Sequence, residues 1–118
     1  MANEYIRFLK IVERLKEENP AASIDCIEIQ LLRYILVSHS KGHPLLVGDL
    51  IHLSEIASPA SLHSRIKRLA ALGYIKLMVC KGDARRRLVI PAKLADKYLV
   101  FMSRCIVKAV TESKHYGL

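Results

Sequence analysis

The amino-acid sequence predicts a mainly α-helical fold with one small β hairpin, an α+β class. Over most of the chain, apolar residues recur every three or four positions, as one face of an α-helix requires. Only the region 74–90 instead alternates β-branched with other residues, and the turn-forming Gly82 and Asp83 interrupt it. We therefore expect several helices and a single two-stranded hairpin.

The first half of the chain is expected to form three helices. Apolar spacing predicts a helix over 3–19, which stops before Pro20 because proline disfavours helical geometry in the preceding residue. A second helix is expected over 24–38, and its low charge indicates that it is buried on most sides. After a break at 40–44, a short third helix is expected over 45–53.

Two helices are expected on either side of the hairpin. The stretch 58–73 has strong end signals, because Ser58 is a favourable N-cap, Pro59 suits the first turn and Gly73 suits the C-terminal end. No acidic residue lies within this stretch. A last helix is expected from Pro91 to about residue 113.

The net charge of the protein is concentrated in one part of the chain. The 118 residues have a formal net charge of +8, and residues 58–93 account for all of it with nine basic residues and one acidic residue. The remaining residues sum to zero. A basic surplus favours a polyanionic partner, either nucleic acid or an anionic membrane surface. Its localisation predicts a binding surface rather than a general solubility charge.

Two helices, a turn, a basic helix and a hairpin follow one another in the order of a winged helix-turn-helix. A helix fits the major groove of DNA, where the base edges distinguish all four base pairs. Small residues near the start of the basic helix would let its backbone approach the bases, and its lysine and arginine residues would meet phosphates. The arginine-rich hairpin, or wing, would reach the next backbone or the minor groove.

Residues 45–75, LLVGDLIHLSEIASPASLHSRIKRLAALGYI, and 82–90, GDARRRLVI, resemble the multiple-antibiotic-resistance regulator (MarR) type of winged helix. That family has a recognition helix that starts with Ser-Pro-Ser/Thr, a Leu-x-x-x-Gly-Leu/Tyr-Ile ending and an Asp-Arg-Arg element in the wing. The resemblance implies a winged helix-turn-helix with a DNA-binding core at 24–92. It also implies flanking dimerisation helices at 1–19 and 91–115.

The DNA-binding residues follow from the helical wheel and from the resemblance. Arg65 matches an arginine that contacts phosphate or braces the wing in the family. The wing reads Asp-Ala-Arg-Arg-Arg, so Asp83 with either Arg85 or Arg86 matches the family's pair, in which the acid orients an arginine that enters the minor groove. The predicted DNA-binding residues are Ser58, Ala60, Ser61, His63, Ser64, Arg65, Lys67, Arg68, Lys81, Asp83, Arg85, Arg86 and Arg87.

The last helix has an apolar arc over about half of its circumference, wider than it needs to rest on a small domain. Part of this arc is therefore expected to contact a second subunit. The alternative is a terminal helix folded over its own core. The predicted dimer-interface residues are Leu94, Tyr98, Leu99, Phe101, Met102, Cys105, Ile106 and Val110.

The sequence predicts no cofactor, no metal site and no enzymatic activity. His39 and His43 are four residues apart, but Gly42 and Pro44 place them in a loop with no cysteine or acid at ligand spacing. No Ser/His or Cys/His pair has an evident third group to orient it. The three cysteines lie in apolar runs without a C-x-x-C pattern and are expected to be buried free thiols.

We expect a single winged helix-turn-helix domain over 1–118 that acts as a homodimeric, sequence-specific transcriptional regulator on double-stranded DNA. A small-molecule effector between the DNA-binding core and the dimer helices could modulate it. The sequence shows no secretory signal and no apolar run that would span a membrane, so a cytoplasmic protein without a membrane partner is expected. The alternative is a winged-helix module that docks on RNA or on an acidic protein.

Overall fold

The computed structural model describes the backbone of residues 3–115, and their side chains except those of residues 84 and 113–115. The described residues form a mainly helical structure with a small antiparallel sheet, which confirms the predicted fold class. In chain order the elements are α1 (Glu4–Arg14), a 3-10 turn (Lys16–Glu18), α2 (Cys26–Ser40), β1 (Leu45–Leu46), α3 (Val47–Leu50), α4 (Pro59–Leu72), β2 (Ile75–Cys80), β3 (Asp83–Pro91) and α5 (Lys93–His115).

The backbone divides into two compact units. The terminal unit contains the described residues up to Ala22 and those from Lys97 onward, and therefore consists of α1, the 3-10 turn and most of α5. The central unit, Ser23–Asp96, contains α2, α3, α4, the sheet and the first residues of α5.

The core of the central unit is formed by α2, α3, α4 and the sheet. In α4 the buried residues Leu62, Ile66 and Leu69 lie four and three positions apart, so they form one stripe along the helix. Burial of each such side chain contributes about 1.5–3 kcal/mol, which fixes the side of α4 that faces inward. The core includes Leu31, Leu32, Ile35, Leu50, Leu62, Ile66, Leu69, Tyr74, Ile75 and Val89.

The sheet contains a strand that the sequence does not predict. Leu45 and Leu46, expected to begin a helix, form β1 and pair antiparallel with Val89 and Leu88 of β3. The strand order is β1-β3-β2. A two-residue strand has no periodicity of its own and forms because its backbone groups find partners on β3, far along the chain. The following helix, α3, is correspondingly shorter than expected.

The wing hairpin is formed by β2 and β3, which pair antiparallel. Its turn is Lys81-Gly82, where Gly82 has a φ of +88°. The pairing is irregular between Val79 and Cys80. The second strand starts at Asp83, so the three wing arginines lie within β3.

In the terminal unit α1 packs against α5. The buried residues of this core are Ile11, Cys105 and Ala109, and the partly buried residues packed on them are Phe8, Val12, Leu15 and Phe101. The Arg7 guanidinium donates a hydrogen bond to the carbonyl oxygen of Ala109 at 3.4 Å. α1 ends at Arg14, earlier than predicted, because a 3-10 turn follows it. Within residues 3–115, no helix combines the length and the apolar character that crossing a membrane requires.

The prediction that all three cysteines are buried is correct for Cys105 alone. Cys26 is exposed on the first turn of α2, and Cys80 is partly exposed at the end of β2. Burial raises the pKa of the Cys105 thiol, although the nearby Lys108 opposes this effect. The Cys105 thiol is therefore a packed, protonated group at neutral pH.

Gly73 ends α4 in the left-handed region, with a φ of +95°. We expect Gly73→Ala to lower the free energy of unfolding by about 1–2 kcal/mol, because a Cβ makes this conformation costly. The added Cβ would lie 3.9 Å from Leu94 Cδ1, which is an ordinary contact. The decrease in the free energy of unfolding would therefore come from backbone strain and not from a steric clash. Urea unfolding followed by circular dichroism measures it.

Gly48→Ala is the matched control for this prediction. Gly48 lies in α3, its φ is outside the left-handed region, and its added Cβ meets no atom within 4 Å. We expect no comparable loss for this variant. Equal destabilisation by the two substitutions would contradict the assigned role of Gly73.

Candidate nucleic-acid interface

Helix α4 begins and ends where its sequence signals predict. The Ser58 hydroxyl accepts a hydrogen bond from the N–H of Ser61 at 3.3 Å, and Pro59 occupies the first turn. Ser61 itself is partly buried. A stripe along the helix, opposite the core residues, is open to solvent. The exposed members of the predicted set on this stripe are Ala60, His63, Ser64 and Lys67.

Two of the predicted DNA-binding arginines are paired with carboxylates of the α2 N-terminal region. Arg65 Nε donates to Asp25 Oδ2 at 2.7 Å. The Arg68 guanidinium donates to Glu28 Oε1 and, at 3.3 Å, to the carbonyl oxygen of Ser23. Arg65 braces α4 against α2, and its expected contact with phosphate or with the wing stays a prediction. Arg68 was expected to meet phosphate, but its charge is already balanced within the unit.

The same two carboxylates form a capping box at the start of α2. The Glu28 N–H donates to Asp25 Oδ1 and the Asp25 N–H donates to Glu28 Oε1, both at 2.8 Å. Glu28 is fully buried, and its Oε2 has no hydrogen-bond partner among the described atoms. The sequence signal for this contact is the Asp-x-x-Glu spacing ahead of an apolar run, which the predicted site does not include.

The pKa of Asp25 is set by opposing effects. Burial acts to raise it, but hydrogen bonds from the Glu28 N–H and from the Arg65 guanidinium outweigh burial and hold the pKa below its ordinary value. Because the folded-state pKa is depressed, the stability that Asp25 contributes is present above its unfolded-state pKa and is lost as the pH falls through the folded-state pKa. The hydrogen bond to Glu28 raises the pKa of Arg68, which stays charged. The Asp25–Arg65 ion pair therefore persists at neutral pH.

On the wing side of α4, a cleft of about 340 Å³ lies between the helix and the hairpin. Its apolar floor is formed by Val47, Ile66 and Leu77. Its basic side chains come from two elements and are His63 and Lys67 of α4 with Arg85 and Arg87 of β3. We call this set of seven residues the basic cleft.

The four basic side chains of the basic cleft differ from Arg65 and Arg68 in having no carboxylate partner. Among the described residues, none of the four takes part in an ion pair. All four are exposed. The cleft thus presents three cations, Lys67, Arg85 and Arg87, to solvent beside the His63 imidazole, and a polyanion is the partner that balances them.

The tip of the wing differs from the expected acid–arginine pair. Asp83 Oδ1 accepts a hydrogen bond from the backbone N–H of Arg85 at 3.0 Å, so this carboxylate shapes the turn. In the described part of the chain it makes no ion pair with a wing arginine. The sequence left Arg85 and Arg86 as alternatives. The structure places Arg85 at the basic cleft, together with Arg87, whereas Arg86 and Lys81 are exposed outside it.

The residues predicted for the dimer interface fall into two groups. Cys105 is buried and Phe101 packs around it, against α1 of the same chain. Tyr98 is buried as well, and Leu94 and Met102 are partly buried. The remaining three, Leu99, Ile106 and Val110, are exposed.

The exposed apolar surface of the terminal unit is larger than the predicted one. Val100 and Val107 of α5 belong to it, and Val107 exposes 62% of its surface. Three residues of α1 also belong to it, namely Tyr5, Ile6 and Leu9. We call these eight residues the apolar face, which comprises Tyr5, Ile6, Leu9, Leu99, Val100, Ile106, Val107 and Val110.

The histidines considered as metal ligands lie elsewhere in the central unit. His39 and His43 line a separate cleft of about 380 Å³, together with residues such as Ile35 and Leu88. In the described range, no three His, Cys, Asp or Glu residues are grouped so that they could hold a metal ion.

One solved structure similar to this chain is that of a transcriptional regulator from Thermotoga maritima. The TM-score is 0.59 and the sequence identity is 16%, over 92% of this chain and 72% of that one. At this identity the similarity shows only that the two chains share a fold. No protein-family model matches the sequence, and no curated protein matches it.

Glu28→Gln tests whether the buried carboxylate holds α2 and α4 together. We expect the free energy of unfolding to fall by about 1–3 kcal/mol, because the hydrogen bond from Arg68 loses its charged acceptor. Urea unfolding at neutral pH measures the loss. Glu17→Gln, on the exposed 3-10 turn, is the matched control and should change stability by less than about 0.5 kcal/mol. Equal effects of the two variants would contradict this role of Glu28.

Proposed function

We propose that this protein is a transcriptional regulator that binds double-stranded DNA as a homodimer, with α4 in the major groove and the wing at the minor groove. The observation that carries the proposal is the unpaired positive charge on the exposed stripe of α4 and on the adjoining wing. Among the described residues, the basic residues concerned are Lys67, Lys81, Arg85, Arg86 and Arg87, none of which takes part in an ion pair, and the His63 imidazole lies beside them at the basic cleft.

The side chains of α4 suit a groove-binding helix. Ala60 and Ser64 are small and exposed, so they would let the helix backbone approach the base edges. The Ser64 hydroxyl can donate to or accept from a base or a phosphate. Lys67, closer to the helix C-terminus, would meet the phosphates of the groove wall. The ion pairs of Arg65 and Arg68 with α2 would keep the helix in a fixed orientation during this contact.

Two further findings support the proposal. The fold is shared with a transcriptional regulator of Thermotoga maritima. The start of α4, its ending and the arginine-rich wing also resemble the MarR type of winged helix, and we propose that the protein belongs with these regulators. An effector bound between the DNA-binding core and the dimer helices stays a prediction.

The apolar face of the terminal unit supports the homodimer. Its eight large apolar side chains are each at least 42% exposed. Tyr5, Ile106 and Val110 line one cleft, and Leu99, Val100 and Val107 line another. Exposed apolar side chains grouped in this way favour an interaction surface. Burial of the patch against a second copy would remove it from water. A two-fold symmetric dimer would present two α4 helices, so its DNA site would be an inverted repeat with half-sites about one helical turn apart.

The DNA-binding proposal predicts a steep salt dependence. Fluorescence anisotropy with duplex DNA should show log K falling linearly with log salt, by about 0.9 for each phosphate neutralised. The double substitution Arg85→Ala and Arg86→Ala should weaken binding to all sequences and reduce the slope by about two, because both arginines would contact phosphate or the minor groove.

The control for this experiment is the double substitution Lys10→Ala and Lys41→Ala, which removes the same charge from α1 and from the loop after α2. We expect this variant to keep the slope of the wild-type protein. A flat salt response, or no duplex binding at low salt, would contradict the proposal. Tighter binding to RNA or to an acidic protein than to duplex DNA would favour an interaction module instead.

The dimer proposal predicts that Val107→Asp makes the protein monomeric at micromolar concentration. Val107 is exposed in the single chain, so an aspartate there would leave the fold intact but place a charge in the interface. Sedimentation velocity measures the change. Val37→Asp is the matched control, because Val37 is 53% exposed on α2 and lies outside the apolar face. A wild-type monomer, or an unchanged dimer in Val107→Asp, would contradict the proposal.

A further inference from the structure

The basic cleft is more than a part of a charged surface, because its four basic side chains converge from two separate elements. His63 and Lys67 lie one helical turn apart on α4, and Arg85 and Arg87 lie two positions apart on β3. At the cleft, the backbone of Arg87 is held in register with Val79 by the hairpin. The helix therefore positions His63 and Lys67 and the paired part of β3 positions Arg87, while Arg85 lies in the irregular part of the hairpin.

The charges at the cleft are not balanced by the protein. Asp25 and Glu28 neutralise arginines on the α2 side of α4, and Asp83 is hydrogen-bonded to backbone at the wing tip. Among the described residues that line the cleft, none carries a carboxylate. Like charges held close together repel one another, so an anion placed among them lowers the energy of the arrangement. The apolar floor excludes water from one side and strengthens this attraction.

The kinds of donors at the cleft select the class of anion. The two guanidinium groups offer planar, forked donors that match two oxygens of a phosphate at once, and Lys67 adds a point charge with three donors. The imidazole of His63 can donate one further hydrogen bond. A phosphate group has enough oxygens to accept from several of these side chains together. The volume of about 340 Å³ accommodates such a group with its attached ester.

We infer that the basic cleft is a discrete phosphate-binding site, which takes one phosphate group per chain from either of two sources. One source is the DNA backbone, in which case the site determines the position of the wing relative to α4 on the duplex. The other source is a free phosphate or phosphate ester, which would compete with DNA for the cleft. Binding of a phosphate of the DNA backbone rests on the proposed function, whereas binding of free phosphate does not.

The inference predicts saturable binding of inorganic phosphate to the DNA-free protein. The full chain is titrated with phosphate at constant ionic strength, with chloride as the balancing anion, and the side-chain NMR signals of the arginines and of His63 are followed. We expect one phosphate per chain. Lys67→Ala and Arg87→Ala, both exposed positions, should each weaken binding at least about tenfold, because each removes a charged hydrogen-bond donor.

Lys76→Ala is the control, because it removes a positive charge from the exposed side of β2, outside the cleft and outside the predicted DNA-binding residues. We expect it to change phosphate binding less than about twofold, since an exposed charge that does not contact the anion contributes little. A response that does not saturate, or an equal loss in Lys76→Ala and Arg87→Ala, would show diffuse attraction and overturn the inference.

A second arm separates the two sources of phosphate. Duplex binding is measured in phosphate and in chloride buffers of equal ionic strength, and we expect phosphate to weaken it further for the wild-type protein but not for Arg87→Ala. Saturable phosphate binding without duplex binding would support the cleft, with a free phosphate ester as its ligand, and would refute the proposed function. Duplex binding without saturable phosphate binding would overturn the cleft site and leave the proposed function intact.

Discussion

The carboxylates of Asp25 and Glu28 determine which basic side chains of α4 remain unpaired. A fully buried carboxylate such as that of Glu28 is costly unless a cation accompanies it, and the Arg68 guanidinium supplies that charge. Asp25 pairs with Arg65 in the same way at a more exposed position. Together the two ion pairs bind the side of α4 that faces α2. In the part of the chain that the structure describes, the basic side chains on the other side of the helix form no ion pair.

The two sides of α4 therefore have different structural roles, although both carry basic residues. One side fixes the helix to its neighbour, where opposite charges meet. The other side adjoins the wing, where Lys67, Arg85 and Arg87 line the basic cleft and no described lining residue is a carboxylate. Because the paired arginines are neutralised locally, the net charge of the region is presented mainly by α4 residues beside the wing and by the wing itself. This separation is what makes a polyanion a suitable partner for this surface.

The last helix shows a similar division of an apolar surface. Its wide apolar arc is consistent either with contact to a second subunit or with packing on the protein's own core. Cys105 and Phe101 pack against α1 within the chain, whereas Leu99, Ile106 and Val107 remain exposed. The arc is broad because it combines a surface for packing within the chain with one that the chain leaves uncovered.

The features that depend on neighbouring residues could be predicted from the amino-acid sequence. The ends of α4, the turn of the wing and the concentration of net charge in 58–93 are all readable from local signals. The contacts between residues far apart in the chain could not be predicted and are seen only in the tertiary structure. Arg65 and Arg68 meet carboxylates 40 positions away, and β1 exists only because β3 pairs with it. No local pattern encodes such partners, since packing of the elements alone brings them within hydrogen-bonding distance.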